Sequence, residues 1–271
     1  SVSRGKPHPY ATTPMLKRRV ANTVALLILG VLLVLYFTKN FHWWPIALTL
    51  FVWFWITLLG SFLIRWDYHF KSLHSNKNIS ESHVSITFDD GPNSEYTPRI
   101  LELLKKHHAK GTFFCIGYQV EKHPEILKRI IAEGHSIGNH TYTHSKSFGF
   151  FGLDKVKAEL QKTNSLIKDL TGLQMKLYRP AFAVTNPRIE KAIKTLKLFS
   201  IGWNVRSLDT TPRSEAMVLN RITSKISKGD IVLLHDTSDK SIAVLEQLLL
   251  FLDQLILLQQ ICLLKINLLR F

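Results

Sequence analysis

The chain has 271 residues, 46% of them hydrophobic and 20% charged, with 13 Gly, 10 Pro and 2 Cys. That balance excludes a disordered, collagen-like or disulfide-framed protein and leaves room for one sizeable domain with an appendage. The formal net charge is +15, but the basic residues are scattered through helical patterns without a stacking-and-basic signature, so no nucleic acid is expected as a partner.

Residues 1–19 form a basic tail containing Arg4, Lys6, Lys17, Arg18 and Arg19. Two uncharged runs follow, "VANTVALLILGVLLVLYF" at 20–37 and "PIALTLFVWFWITLLGSFLI" at 45–64. Each is about long enough to cross a hydrocarbon core of roughly 30 Å as a helix. Neither shows a polar face, which argues against a buried helical hairpin of a soluble protein. The link "TKNFHWW" permits only a tight hairpin, and Trp43, Trp44, Trp66 and Tyr68 sit where headgroups would lie. A second run and no evident small-residue cleavage site argue against a cleaved signal peptide. The expectation is an integral membrane protein with two spans in a bacterial plasma membrane. Positive charge before the first span, with Arg65, Lys71 and Lys77 after the second, places both ends in the cytoplasm; an exported domain is the alternative. Residues 1–79 carry 9 basic groups against 1 acid, a juxtamembrane bias suited to anionic lipid.

Residues 65–82 read as a juxtamembrane linker. From 83 to 271, short apolar runs alternate with amphipathic ones. The strands are expected in "HVSITF", "GTFFCIG", "HSIGN", "KLYR", "FSIGWNV", "DIVLLHD" and "QICLLK". Helices are expected over 97–109, 123–134, 154–172, 186–197, 214–227 and 241–255, where apolar positions recur at helical spacing and Gly stands near several ends. Regular alternation predicts an α/β domain with a parallel sheet, and its size favours a shortened, distorted (β/α)7 barrel. Cys115 and Cys262 read as small core residues. His83, His107 and His108 read as surface or linker residues, and His135 as a turn residue.

Active sites of parallel α/β folds form at the carboxyl ends of strands. Those ends carry Asp89 and Asp90, then His140 and His144, Arg179, Asp209, and His235 with Asp236. Each alone has a plain structural explanation, such as a helix cap. Together on one rim they point to chemistry. In "GNHTYTH" two imidazoles four residues apart can face one way, and with a carboxylate of the Asp pair they suit a divalent ion with an open position for water.

The segments "TFDDGP", "HTYTH", "RPAF", "WNVRSLD" and "LLHD" resemble, in order and approximate spacing, the five motifs of the polysaccharide deacetylases, the NodB-homology or carbohydrate esterase family 4 enzymes. The resemblance covers about residues 80–271. It implies a metal-dependent hydrolase that removes N-acyl groups from amino sugars in a polysaccharide, in peptidoglycan or in a lipid-linked saccharide. It also implies Asp89 as base, Asp90, His140 and His144 as ligands of Zn²⁺ (Co²⁺, Ni²⁺ or Mn²⁺ being alternatives), and His235 as acid held by Asp209. Arg179 would orient the base, the Phe182 amide would meet an oxyanion, and Trp203 would line the substrate site. Partners would be the amino-sugar substrate and membrane lipid. Departures from the pattern are Ala181 and Ala183 for Pro and Gly in the third motif, and Arg206 and Thr210 for Asp and Trp in the fourth. A catalytically impaired, membrane-tethered binding module is the competing expectation. A metallopeptidase lacks support, because no helix pairs two His around a Glu.

Overall fold

A computed structural model describes residues 17–39, 41–79 and 83–254. Helices α1 (Arg18–Lys39) and α2 (Trp44–Phe62) are long and apolar enough to cross a membrane. They pair along a narrow seam in which Ala21 and Ala25 are buried, while Leu26, Leu27, Phe37, Phe51 and Phe54 are exposed. The Trp53 indole donates to Asn22 Oδ1 at 3.0 Å, so a polar group inside the apolar run has a partner. The second run leaves the helix two residues earlier than its composition suggests. Leu63 turns out of helical geometry, and Ile64–Trp66 form a 3₁₀ turn that buries Ile64 against the inner cluster of the barrel.

Seven parallel strands follow: β1 (Ser85–Asp89), β2 (Gly111–Cys115), β3 (Ser136–Asn139), β4 (Leu177–Tyr178), β5 (Phe199–Ser200), β6 (Val205–Arg206) and β7 (Ile231–His235). Their order is β5-β4-β3-β2-β1-β7-β6. "FSIGWNV", read as one strand, supplies two. Its first part pairs with β4 and its second with β7, at opposite edges of the sheet. Only residues 201–204 separate these edges, so the sheet is curled nearly shut. "QICLLK" lies outside the described residues.

The helices are α3 (Tyr96–Lys106), α4 (Gly117–Lys122), α5 (Pro124–Ala132), α6 (Leu153–Thr171), α7 (Pro187–Thr195), α8 (Glu215–Thr223) and α9 (Asp239–Gln254). Most lie within a few residues of the periodic segments, with α8 ending early. The start of α4, by contrast, differs from the strand expected there, because "GTFFCIG" stays apolar after β2 has ended. Local chemistry sets several boundaries. Asn186 accepts from the amides of Arg188 and Ile189 ahead of Pro187, Ser214 accepts from Met217, and Gly172 closes α6 at φ +73°.

Strand alternation divides the core into two layers. Ile86, Phe88, Phe113, Val232 and Leu234 face the helices, whereas Phe114, Leu177, Leu233 and Trp203 fill the barrel interior. The juxtamembrane segment is more than a linker, since its backbone pairs with residues 200–202 and 229 of the barrel. Leu73 N–H donates to Ser200 O and Gly202 N–H to Leu73 O, at 2.9 and 2.8 Å, and Asn76 N–H reaches Gly229 O at 2.8 Å. Three histidines also differ from expectation. His83 is buried, and His135 is a core residue whose Nδ1 accepts from Gly111 N–H, with burial taking its pKa down to about 4. His107 is also largely covered and pairs with Asp253.

Candidate active site

Adjacent residues on a strand point to opposite faces. Asp89, at the end of β1, follows Thr87 into the barrel interior, so Asp90 should face the helices. It does not, because its φ of +79° turns the carboxylate back over the strand ends. Gly91 makes room for this turn, since a Cβ there would run into the Asp236 carboxylate. One backbone torsion thus brings both carboxylates to one cavity.

The "HTYTH" segment is a tight loop after β3 in which Thr141 and His144 also take positive φ, +67° and +48°. Such torsions are costly for non-glycine residues and persist where the surroundings enforce them. Asn139 Oδ1 accepts from Thr141 N–H at 2.8 Å. Glu159 on α6 accepts from the amides of Tyr142 and Thr143 and from the Thr143 hydroxyl. The result places His140 Nε2 and His144 Nε2 at 3.5 and 3.4 Å from the same oxygen, Asp90 Oδ1. These three ligand atoms lie within 4.8 Å of one another, the grouping a divalent cation requires. His140 Nδ1 donates to Arg179 O at 2.9 Å, which makes Nε2, facing Asp90, the nitrogen that would bind a metal.

Burial opposes the charge of Asp90, but the hydrogen bond from His140 and the charges of both imidazoles outweigh it and hold the carboxyl at about 2. Burial, then the neighbouring His140, takes His144 down to about 4, so it is neutral and available as a ligand at physiological pH.

Arg179 is wholly buried and extends from the end of β4 across the barrel mouth. Nη1 donates to Asp89 Oδ1 at 2.8 Å and Thr87 Oγ1 at 2.6 Å, Nε to Ile201 O, and Nη2 to Gly202 O. Its guanidinium lies over the Phe114 ring at 4.0 Å, with Trp203 5.5 Å away. Trp203, expected to line the substrate site, is buried as packing behind Arg179.

Opposite, His235 Nδ1 donates to Asp209 Oδ1 at 2.8 Å. Asp209 also accepts from the His235 amide, Ser207 Oγ and Ser241 Oγ, which fills its buried lone pairs. Burial favours neutral His235, but the Asp209 bond and charge prevail, aided by Asp89 and Asp90, and raise it to about 9. A protonated imidazole is therefore present at neutral pH. Asp236, on the other face of β7, accepts from Thr97 Oγ1, and burial pushes it up to about 7.

The sign for His235 is fixed. Its folded pKa is raised, so the pairing stabilises the fold fully below its ordinary value near 6.5 and is lost as pH rises through about 9. Asp209→Asn is expected to bring the His235 titration, followed by NMR, from about 9 to below about 7. A titration left near its original value would show that Asp209 does not set it.

Phe182 lies in the loop after β4, with its ring centroid 4.4 Å from that of His144. Phe182 and Ala183 both take positive φ, +55° and +61°. Ala183 stands where the third motif has Gly, in a conformation that costs a non-glycine residue about 1 kcal/mol. Ala183→Gly is therefore expected to stabilise the protein by about 1 kcal/mol and raise Tm by about 2–4 °C in a thermal melt. Ala181 is fully buried, whereas Arg206 and Thr210 are exposed.

The supporting groups Thr87, Glu159, Ser207 and Ser241 escaped the sequence reading. Glu159 looks like any polar-face residue of an amphipathic helix, and no local signal marks it. The site can hold a divalent cation, keep one carboxylate beside it as a base, and offer a protonated imidazole opposite.

The polysaccharide deacetylase family model matches residues 76–200. A peptidoglycan-N-acetylglucosamine deacetylase of Bacillus cereus is 35% identical over 158 residues, covering 58% of this chain and 57% of the relative. The chain thus spans little more than half that protein's length. A solved peptidoglycan N-acetylglucosamine deacetylase is similar at 31% identity and TM-score 0.63, over 68% of this chain and 86% of that one. A Bacillus anthracis protein described as a carbohydrate esterase family 4 pseudoenzyme has 28% identity and TM-score 0.63, over 68% and 65% of the two chains.

Proposed function

This chain belongs to the polysaccharide deacetylase family, and on that premise we propose that it is a metal-dependent hydrolase that removes N-acetyl groups from amino sugars. The observation that carries the reading is the convergence of Asp90, His140 and His144 on one point, between the Asp89–Arg179 pair and the His235–Asp209 pair. Two imidazoles and one carboxylate with an open position favour Zn²⁺. When bound, such an ion polarises an acyl carbonyl and acidifies water. Asp89, held by Arg179, takes the proton from the attacking water. The Phe182 amide faces the developing oxyanion, and His235 gives its proton to the departing amine. Asp209 keeps His235 charged until that transfer.

The substrate is an N-acetylated amino sugar of peptidoglycan or of a lipid-linked saccharide. The hairpin α1–α2 anchors the domain in the plasma membrane by two spans. Lys17, Arg18, Arg19 and Arg65 at its base support a cytoplasmic domain, which would require a lipid-linked precursor. Alkaline phosphatase activity from a fusion placed after residue 80 would put the domain outside and make wall polymer the target.

The test is metal content together with hydrolysis of an N-acetylated chito-oligomer and of a lipid-linked N-acetylamino sugar. Acetate release dependent on about one Zn²⁺ per chain supports the proposal. Bound metal without turnover on either substrate favours the second reading, a binding module, which the left-handed Ala183 and the likeness to a pseudoenzyme support.

A further inference from the structure

The hairpin is docked on the rim of the candidate site. At the carboxyl end of α2, Ser61 O accepts from the Thr185 amide at 2.8 Å, and Gly60 O from the Thr185 hydroxyl at 3.3 Å. Thr185 is three residues from Phe182, whose ring packs on His144. At the start of α1, Arg18 N–H donates to Tyr68 O, so both helices meet the domain at the same junction. The apolar surface of α2 reaches this point through Leu59, Phe62 and Leu63, all exposed.

That surface continues onto the catalytic domain. Asn186, next to Thr185, donates through Nδ2 to Gly149 O at 2.8 Å, which fixes the 3₁₀ turn Phe148–Phe150 beside the junction. Phe148 is fully buried, but Phe150 is 84% exposed, the most exposed large apolar side chain among the described residues. Phe182 is 47% exposed on the same rim. Cations border the patch. Arg188 Nη1 donates to Phe151 O, Lys155 lies over the Phe151 ring, and Lys17, Arg19 and Arg65 stand exposed at the hairpin base. Aromatic rings flanked by Lys and Arg beside an apolar helix end suit the boundary between acyl chains and anionic headgroups. An apolar patch continuous with a spanning helix is accounted for when lipid covers it.

We infer that Phe150 and the Phe182 rim lie in the headgroup layer of the bilayer crossed by α1 and α2, so that the cleft opens onto the membrane surface and takes an amino sugar held there. The substrate class is then a lipid-linked saccharide, whose sugar sits at the headgroup plane, rather than a polymer distant from the membrane. This rests on the proposed spanning hairpin, and on the proposed hydrolysis only for its activity arm.

The test uses the full chain in phosphatidylcholine–phosphatidylglycerol vesicles, with Cys262→Ser leaving only the buried Cys115. A nitroxide is placed in turn at Val52→Cys in α2, Phe150→Cys and Met217→Cys on α8, and its relaxation by dissolved oxygen is compared with that by a water-soluble nickel chelate. Oxygen is expected to dominate at positions 52 and 150, and nickel at 217. Nickel dominance at 150 with oxygen dominance at 52 overturns the inference and leaves the spanning hairpin standing; nickel dominance at all three overturns both. In the activity arm, Phe150→Glu is expected to lower turnover of a lipid-linked N-acetylamino sugar about tenfold, the factor that burial of one apolar side chain supplies. Turnover of a soluble chito-oligomer should be unchanged. An unchanged rate on the lipid-linked substrate, or an equal loss on both, overturns the inference. If the parent protein hydrolyses neither substrate, the hydrolysis proposal fails by itself and the nitroxide result still decides where the rim lies.

Discussion

Asp89→Asn in the metal-loaded full chain is expected to lower kcat/KM for an N-acetylated amino sugar by about 10³-fold, the range for removal of a positioned general base, with bound metal unchanged. The substitution is nearly isosteric, and an amide oxygen can still accept from Arg179 Nη1, so the pocket should keep its shape. What disappears is the ability to take a proton. The metal set uses Asp90 instead, whose carboxylate is brought into the same cavity by its left-handed backbone but faces the two imidazoles. Asp90→Asn should therefore lose metal and activity together. Metal titration alongside steady-state rates separates the two outcomes. Activity in Asp89→Asn above about a tenth of the parent, against the 10²-fold or greater loss expected for a general base, would assign the proton transfer to another group.

Arg179→Met should produce the largest loss of stability. Its guanidinium is wholly buried and serves two side chains and two carbonyls in one fork. Methionine fills part of the volume but leaves Asp89, only 5% exposed at its side chain, as an unpaired buried carboxylate. Removing one partner of such a pair costs about 3–5 kcal/mol, equivalent to roughly 10 °C in Tm for a domain of this size. Arg179→Lys should recover little, since one ammonium cannot span acceptors arranged for a planar fork. A drop in Tm of less than about 3 °C for Arg179→Met, roughly 1 kcal/mol, would mean that water replaces the guanidinium.

The sequence showed the site better than the scaffold around it. Asp89, Asp90, His140, His144, Arg179, Asp209 and His235 all follow apolar runs, and the rule that such ends converge is topological, so their assembly could be anticipated. The φ of Asp90 is not written in any pattern; it emerges where β1, β7 and Gly91 crowd together. Glu159 acts on a loop 16 residues away through tertiary contact alone. Trp203, which the resemblance placed at the substrate site, is buried in the closing stretch beside Arg179. The segment after the hairpin read as a linker because it is polar and short of periodicity. Its contribution is made by backbone hydrogen bonds, to which side-chain patterns are blind.

The stretch 199–206, which pairs with β4 by one part and β7 by the other, bears on how the domain folds and avoids aggregation. Both margins of the sheet converge on it, and Leu73 lies against it. Few backbone donors and acceptors at these margins are left to recruit a strand from another molecule, the usual route to edge-to-edge aggregation. The cost is kinetic. Neither margin can be completed by local contacts, because β7 and β4 lie far apart in sequence, and such non-local closure slows folding. A shortened form beginning at residue 83 would lack the Leu73–Asn76 backbone bonds, reopening the margin during the slow step, when chains are most prone to associate.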